Sequence, residues 1–211
     1  MNQKIVVTIN REYGSGGRNI GRLLAASLGI EYYDRDLLRL ASESSGINQA
    51  LFENADEAFR RTSLFKAASA VYRGELLPPD SDDFTSTDNL FNYQAKVIKE
   101  LAANESCIII GRCADFILED QPNLVRVFIE APSYYLLYQA SLRKSLPPRE
   151  LQRYVEKINR NRADYYRYHT GREWTDVHHY DLCLDSSKIS PEKAVEIIRS
   201  YMKVRFDGLE L

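Results

Sequence analysis

Residues 4 to 21 constrain this chain more than any other stretch: Lys4-Ile5-Val6-Val7-Thr8-Ile9-Asn10-Arg11-Glu12-Tyr13-Gly14-Ser15-Gly16-Gly17-Arg18-Asn19-Ile20-Gly21. The segment opens as a short apolar run rich in β-branched residues, the pattern of a buried parallel strand. A glycine cluster comes next, and then Ile20, Leu23, Leu24 and Leu28 recur at helical spacing. Strand, glycine turn, helix is the layout that aims backbone N–H groups and the positive end of a helix at a bound anion. The anion that best suits such a turn is a phosphate.

The P-loop pattern G-x-x-x-x-G-K-[ST] is not met. With Gly16 as its second glycine, Arg11 stands where the first should be. Gly17 occupies the lysine position, and Arg18 and Asn19 come after it. Two other readings stay open. One is a β-to-α turn that binds nothing. The other is a dinucleotide fingerprint, because Gly14-x-Gly16 is present and Asp34 lies about twenty residues on. Its third glycine, Gly17 or Gly21, falls out of register.

At 211 residues the chain is long enough for one domain with an insertion. Its net charge of −2 gives no global field to recruit nucleic acid or a membrane surface, and neither partner is expected. The three cysteines, Cys107, Cys113 and Cys183, have no C-x-x-C spacing, and two of them lie in apolar, strand-like stretches where buried thiols are expected. No metal site is expected from them. The N-terminus lacks a basic-then-apolar signal segment, and no apolar run reaches membrane-spanning length, so the expected location is the cytoplasm.

Further along, Glu31 to Asp34 reads as a second strand ending in a carboxylate, with Arg35, Asp36 and Arg39 at a helix start. Residues 47–72 carry a helical pattern. Residues 74–89, with Pro78-Pro79 and three aspartates among serines and threonines, read as a mobile loop. Residues 41–88 together are taken as an inserted subdomain of a single 1–211 domain. A helix over 89–104, strands at 107–111 and 124–130, helices from Ser133 and Pro147, a strand at 181–185 and a helix capped by Ser190 complete the alternation. Such alternation indicates an open parallel α/β sheet.

Ligands in such sheets bind beyond the carboxyl ends of the strands. The first three strands lead into the glycine loop, Asp34 and Gly111-Arg112 in turn, which puts an anion-binding turn, a carboxylate and a guanidinium on one rim. Singly, Asp34 reads equally as a helix cap and Arg112 as a partner of Asp115. On the helix from Pro147, Arg149, Arg153, Lys157 and Arg160 share a solvated face, whereas Arg162 falls on the apolar side near Val155. An arginine there must find a carboxylate or phosphate. Arg160, Asp164 and Arg167 offer a second clamp. The run Tyr165 to Trp174 is aromatic and basic, with Gly171 as a candidate hinge; a packed aromatic patch, the face of a homodimer and a nucleotide-covering lid all suit it. His178 and His179 read as structural, and no serine-histidine-acid pattern is present.

With these residues in hand, the chain resembles the cytidylate kinase-like family, relatives of the nucleoside monophosphate kinases with a P-loop kinase fold. The likeness is carried by Thr8 to Arg18, Tyr33-Asp34-Arg35, Ile110-Gly111-Arg112, Arg162 to Tyr166, Tyr168 to Gly171 and Tyr180-Asp181-Leu182. It implies a P-loop NTPase-type sheet of about five parallel strands flanked by helices, with the insertion serving as acceptor-binding region and a lid over approximately 145–175. It further implies that Gly14, Ser15, Gly16, Gly17, Arg18 and Asn19 hold the phosphates of ATP, with Arg18 standing in for the lysine. Asp34, Arg39 and Arg112 would place the acceptor, and Arg160, Arg162 and Arg167 would come from the lid. Arg18, Arg112 and Arg162 are then the catalytic cations, with ATP and Mg²⁺ required. The implied reaction is transfer of the γ-phosphoryl group of ATP to CMP, dCMP or a related small phosphate acceptor. The departures are Gly17 for the lysine, Asn19 for the magnesium-binding hydroxyl, and Ile110 and Cys113 flanking Gly-Arg where cytidylate kinases carry acids. Two alternatives arise from them: a nucleotide-binding sensor without turnover, and a dinucleotide-dependent oxidoreductase.

Overall fold

The computed structural model describes residues 4–53 and 74–206. Five strands, β1 (Val6–Arg11), β2 (Glu31–Tyr33), β3 (Cys107–Ile110), β4 (Leu124–Glu130) and β5 (Leu182–Asp185), form one sheet in the order β2-β3-β1-β4-β5. All four pairings are parallel, with Val6 beside both Cys107 and Leu124. The sheet is flanked by α1 (Gly17–Leu28), α2 (Asp36–Ser45), α3 (Thr87–Asn104), the single turn α4 (Ala114–Ile117), α5 (Ser133–Ser141), α6 (Pro148–Thr170) and α7 (Pro191–Arg205).

Side chains of a strand alternate between faces, which divides the core in two. Val7 and Ile9 of β1, with Ile108, Ile110, Val125, Val127 and Ile129, pack under α1 and α7 through Ile20, Leu24, Ile198 and Met202. Val6, Cys107, Ile109, Leu124 and Phe128 face the other way, toward Leu37 and Leu38 of α2 and Phe91 and Ile98 of α3. A smaller cluster of Leu136, Ala140, Leu151 and Val155 joins α5 to α6, with Tyr13 of the glycine loop packed against it. The order places β1 centrally, so the turn that leaves it sits in the middle of the carboxyl rim. Dinucleotide-binding sheets run in the order 3-2-1-4-5-6, which this chain does not share.

Several expectations shift in detail. Of the helical pattern over 47–72, residues 49–53 are helical and 54–72 lie outside the described residues. Residues 74–86 have no regular structure but are tied to α3 by the buried Asn89. Its Oδ1 accepts from the Leu77 N–H at 2.9 Å and its Nδ2 donates to the Phe84 carbonyl at 2.7 Å. Cys107 and Cys113 are buried, whereas Cys183 is exposed because β5 is an edge strand with one uncovered face. Gly171, at φ 70°, ends α6 as its left-handed cap. Among the described residues no helix is long and apolar enough to cross a membrane.

Candidate functional site

The ends of β1, β2 and β3 and one face of α6 enclose a cavity of about 360 Å³. Five arginines line it (Arg11, Arg18, Arg35, Arg112 and Arg162) against one carboxylate, Asp34. Aromatic side chains close its other side: Tyr13, Tyr154, Tyr165, Tyr166 and Trp174. A small cavity walled by rings and carrying so large an excess of positive charge has the chemistry to suit an anion with a flat or apolar surface.

The glycine loop lies at its edge: Tyr13 and Arg18 line the cavity, whereas Gly14, Ser15, Gly16 and Gly17 do not. Gly16, at φ 80°, is the N-cap of α1 and has open space where a side chain would stand. Among the described residues, no acceptor takes the backbone N–H groups of Gly16, Gly17 or Arg18, the donors that a helix start leaves for an anion. The loop is held in shape from outside. Ser15 Oγ donates to the Glu12 carbonyl at 3.0 Å, and the Tyr13 N–H donates to Asn159 Oδ1 of α6 at 2.7 Å. The Ala131 N–H donates to Glu12 Oε2 at 3.1 Å, and burial raises the Glu12 carboxyl above its ordinary range.

The charges lining the cavity are unevenly paired. Arg18 forms an ion pair with Asp34: Nη2 donates to Oδ1 at 3.2 Å, and Nε lies 2.7 Å from Oδ2 without hydrogen-bond geometry. Arg162 Nη1 donates to the Arg11 carbonyl at 2.7 Å, and burial, with Arg18 adding repulsion, lowers it to about 10. Arg11 is depressed well below the usual guanidinium range by burial first and by Arg162 next, with Asp34 opposing and Arg18 and Arg112 contributing. Arg112 Nη1 reaches Gln94 Oε1 at 3.5 Å.

Gly111, Arg112 and Cys113 have φ values of 67°, 62° and 54°. Two consecutive non-glycine residues in the left-handed region cost roughly 1–2 kcal/mol each, and such strain persists only where surrounding structure enforces it. Here it turns the chain sharply off the end of β3 and keeps Arg112 at the rim. The support beneath is a buried polar network. Asp115 accepts from Asn10 Nδ2 at 2.9 Å and from the Tyr166 hydroxyl at 2.7 Å, and the Tyr180 hydroxyl donates to the Trp174 carbonyl at 2.6 Å. Burial raises the Asp115 carboxyl. This network ties β1, α4, α6 and the segment before β5 together directly below the cavity.

Of the residues singled out from sequence, Arg18, Asp34, Arg112 and Arg162 meet at this cavity. Asp34 is no helix cap, since α2 begins without a side-chain cap, and the oxygens of Asp115 are taken by Asn10 and Tyr166. Gly14 packs on α5, where a Cβ would stand 2.6 Å from the Leu136 carbonyl oxygen, and Asn19 is exposed. Arg39 lies on the outside of α2, paired with Glu43 at 2.5 Å; Arg160 is exposed, and Arg167 pairs with Glu173. None of these three lines the cavity. The aromatic run is part packed core and part cavity wall: Trp174 meets Phe128 edge-on at 5.2 Å, and His169 stacks on Phe91 at 3.9 Å. Arg11 and Asn10 carry roles at the site that sequence reasoning gave them no share in. The available signal was that two departures from one loop pattern, arginine for glycine and glycine for lysine, occur in the same chain.

The strand order and the arginine-lined carboxyl rim define a P-loop kinase-type fold. The shikimate kinase of Bacteroides thetaiotaomicron superposes with a TM-score of 0.54 at 13% identity, covering 94% of this chain and 98% of that one. An uncharacterized protein from Eubacterium ventriosum does so at 0.68 and 24% identity, covering 95% and 99%. The chain belongs to the cytidylate kinase-like family, whose model matches residues 6–188. It is similar to the cytidylate kinases of Methanosarcina barkeri, 28% identical over 96% of this chain and 97% of that one, and Methanosarcina mazei, 26% identical over 92% and 93%.

Proposed function

We propose that the protein transfers the γ-phosphoryl group of ATP to a nucleoside monophosphate, CMP or dCMP by likeness to the Methanosarcina enzymes. The observation that carries this reading is the cavity with five arginines and one carboxylate at the carboxyl end of the sheet. Phosphoryl transfer asks little covalent chemistry of a protein. It needs donor and acceptor held in line and charge on the phosphoryl oxygens neutralised.

The chain supplies a candidate for each of these tasks. The N–H groups of Gly16, Gly17 and Arg18 receive donor phosphate oxygens at the start of α1. Arg112, held by its strained turn, and Arg162, brought in by α6, bind the acceptor phosphate and the group in transit. The rings of Tyr154, Tyr165 and Trp174 supply stacking and dry walls for a base. The donor set suits a polyphosphate. It suits Mg²⁺ poorly, because the one lining carboxylate, Asp34, is already gripped by Arg18. Mg²⁺ would therefore arrive on the ATP phosphates.

A second reading, a nucleotide-binding protein without turnover, draws on Gly17 in the lysine place and on the exposure of Asn19. A coupled assay with ATP and Mg²⁺ across CMP, dCMP, other monophosphates and non-nucleotide acceptors separates the two. Turnover with one pyrimidine monophosphate supports the kinase. ATP binding with no acceptor consumed supports the sensor, and binding of neither ATP nor CMP removes both.

A further inference from the structure

Arg11 ends the central strand at the middle of the rim, where its side chain is half-buried and lines the cavity. Its Nε is buried with no hydrogen-bond partner, and no carboxylate among the described residues pairs with its guanidinium. Two glycines shape the space it occupies. A Cβ on Gly17 would stand 2.5 Å from Arg11 Cβ and 3.1 Å from its Cγ; one on Gly111 would stand 2.5 Å from its Nη1. The side chain therefore runs from the first residue of α1 across to the turn after β3. The clash at Gly17 is with the base of the Arg11 side chain, which no rotamer change relieves. A lysine at 17 and an arginine at 11 exclude one another in this loop.

A buried cation held among other cations destabilises a protein unless an anion joins it. The carboxylate lining the cavity, Asp34, is already engaged in an ion pair with Arg18. We propose that Arg11 carries the positive charge that lysine provides in other P-loops, entering from the strand end instead of the helix start. Its guanidinium binds an oxygen of the phosphate that lies between the α1 N-terminus and the Gly111-Arg112 turn. It stays protonated and forms no covalent bond. Arg18, which sequence alone suggests as the substitute, instead orders Asp34. The proposal rests on the phosphotransferase reading for the identity of the anion.

The test compares the full-length wild type with Arg11→Met and with the double variant Arg11→Gly/Gly17→Lys. ATP and inorganic pyrophosphate are titrated calorimetrically, and thermal melts are recorded without ligand. In Arg11→Met the affinity for both probes is expected to fall about tenfold or more, while the ligand-free melting temperature rises because an unpaired buried charge is gone. The double variant is expected to recover the lost affinity, since it moves one charge between two positions that share one space. Unchanged affinity in Arg11→Met overturns the proposal and leaves the kinase reading standing. So does an affinity loss that the relocated lysine fails to restore, or an Arg11→Met chain that does not fold. A wild type that binds neither probe overturns both.

Discussion

Asp34 is the one carboxylate facing five cavity arginines, so Asp34→Asn tests the electrostatic account of the site. Its side chain is 13% exposed and that of Arg18 is 42% exposed. Opposite charges about 4 Å apart interact by about 4 kcal/mol at an effective dielectric of 20. With Arg18 so accessible, screening cuts that pair to about 1 kcal/mol. Asp34 also offsets the repulsion felt by Arg11 and Arg162, which are half-buried and screened somewhat less. Allowing about 1 kcal/mol for both, the loss totals about 2 kcal/mol, or about 4–8 °C in melting temperature for a chain of this size. Asparagine keeps the shape and one acceptor, so packing is nearly unchanged. The assay is thermal unfolding monitored by circular dichroism at low ionic strength, repeated with inorganic phosphate. Phosphate should stabilise the variant more than the wild type, because the arginines lack their internal counter-ion. A variant that melts with the wild type, or that gains no more than the wild type from phosphate, would refute the reasoning.

His169 is 1% exposed and burial lowers it to about 3. The unfolded chain takes up that proton near pH 6.5 and the folded one near pH 3, so stability falls as pH drops between them, by roughly 2 kcal/mol from pH 6.5 to 5. His169→Phe, which keeps the stack on Phe91, should flatten that part of the urea-midpoint profile; an unchanged slope would assign it elsewhere. Tyr166→Phe leaves a buried oxygen of Asp115 without its donor and should cost about 1–3 kcal/mol in denaturant unfolding. Asn89→Ala releases the ties to Leu77 and Phe84, and limited proteolysis should then cut within residues 74–86 faster than in wild type.

The sheet was legible because buried parallel strands write themselves as continuous apolar runs. Val6 to Ile9 and Cys107 to Ile110 could hardly be anything else once glycine turns and helical periodicity came after them. The position of Arg162 was legible too. Its azimuth on α6 puts it beside Val155, and the structure holds it half-buried at the cavity, donating to the Arg11 carbonyl rather than to a carboxylate. Arg39 and Arg167 mark the limit of such reading. Each sits near the right elements in sequence, but a long side chain on an exposed helix face finds its neighbour of opposite charge, Glu43 or Glu173, before it reaches a cavity. Azimuth decides burial, whereas order along the chain does not. Residues 74–89 read as a mobile loop for a related reason. Their composition is that of a solvated linker, yet the buried Asn89 ties residues 77 and 84 to α3, and its importance lies in the backbone groups it satisfies rather than in its own type.

The loop itself shows why a pattern read position by position misleads. Scored singly, Arg11 is a lost glycine and Gly17 a lost lysine, two defects that together argue against phosphate binding. In three dimensions they are one change, because residues 11 and 17 share the space at the strand-to-helix turn and the longer side chain simply enters from the other side. Gly111, whose Cβ would meet the far end of the same guanidinium, extends the coupling to a third segment nearly a hundred residues away in the chain. A phosphate requires a cation at a point in space above open N–H donors, and the backbone offers more than one attachment for it. A mutation that restores the usual lysine should therefore damage the site while Arg11 remains and repair it when Arg11 is removed. That non-additive outcome is the signature of a shared space rather than of two independent residues.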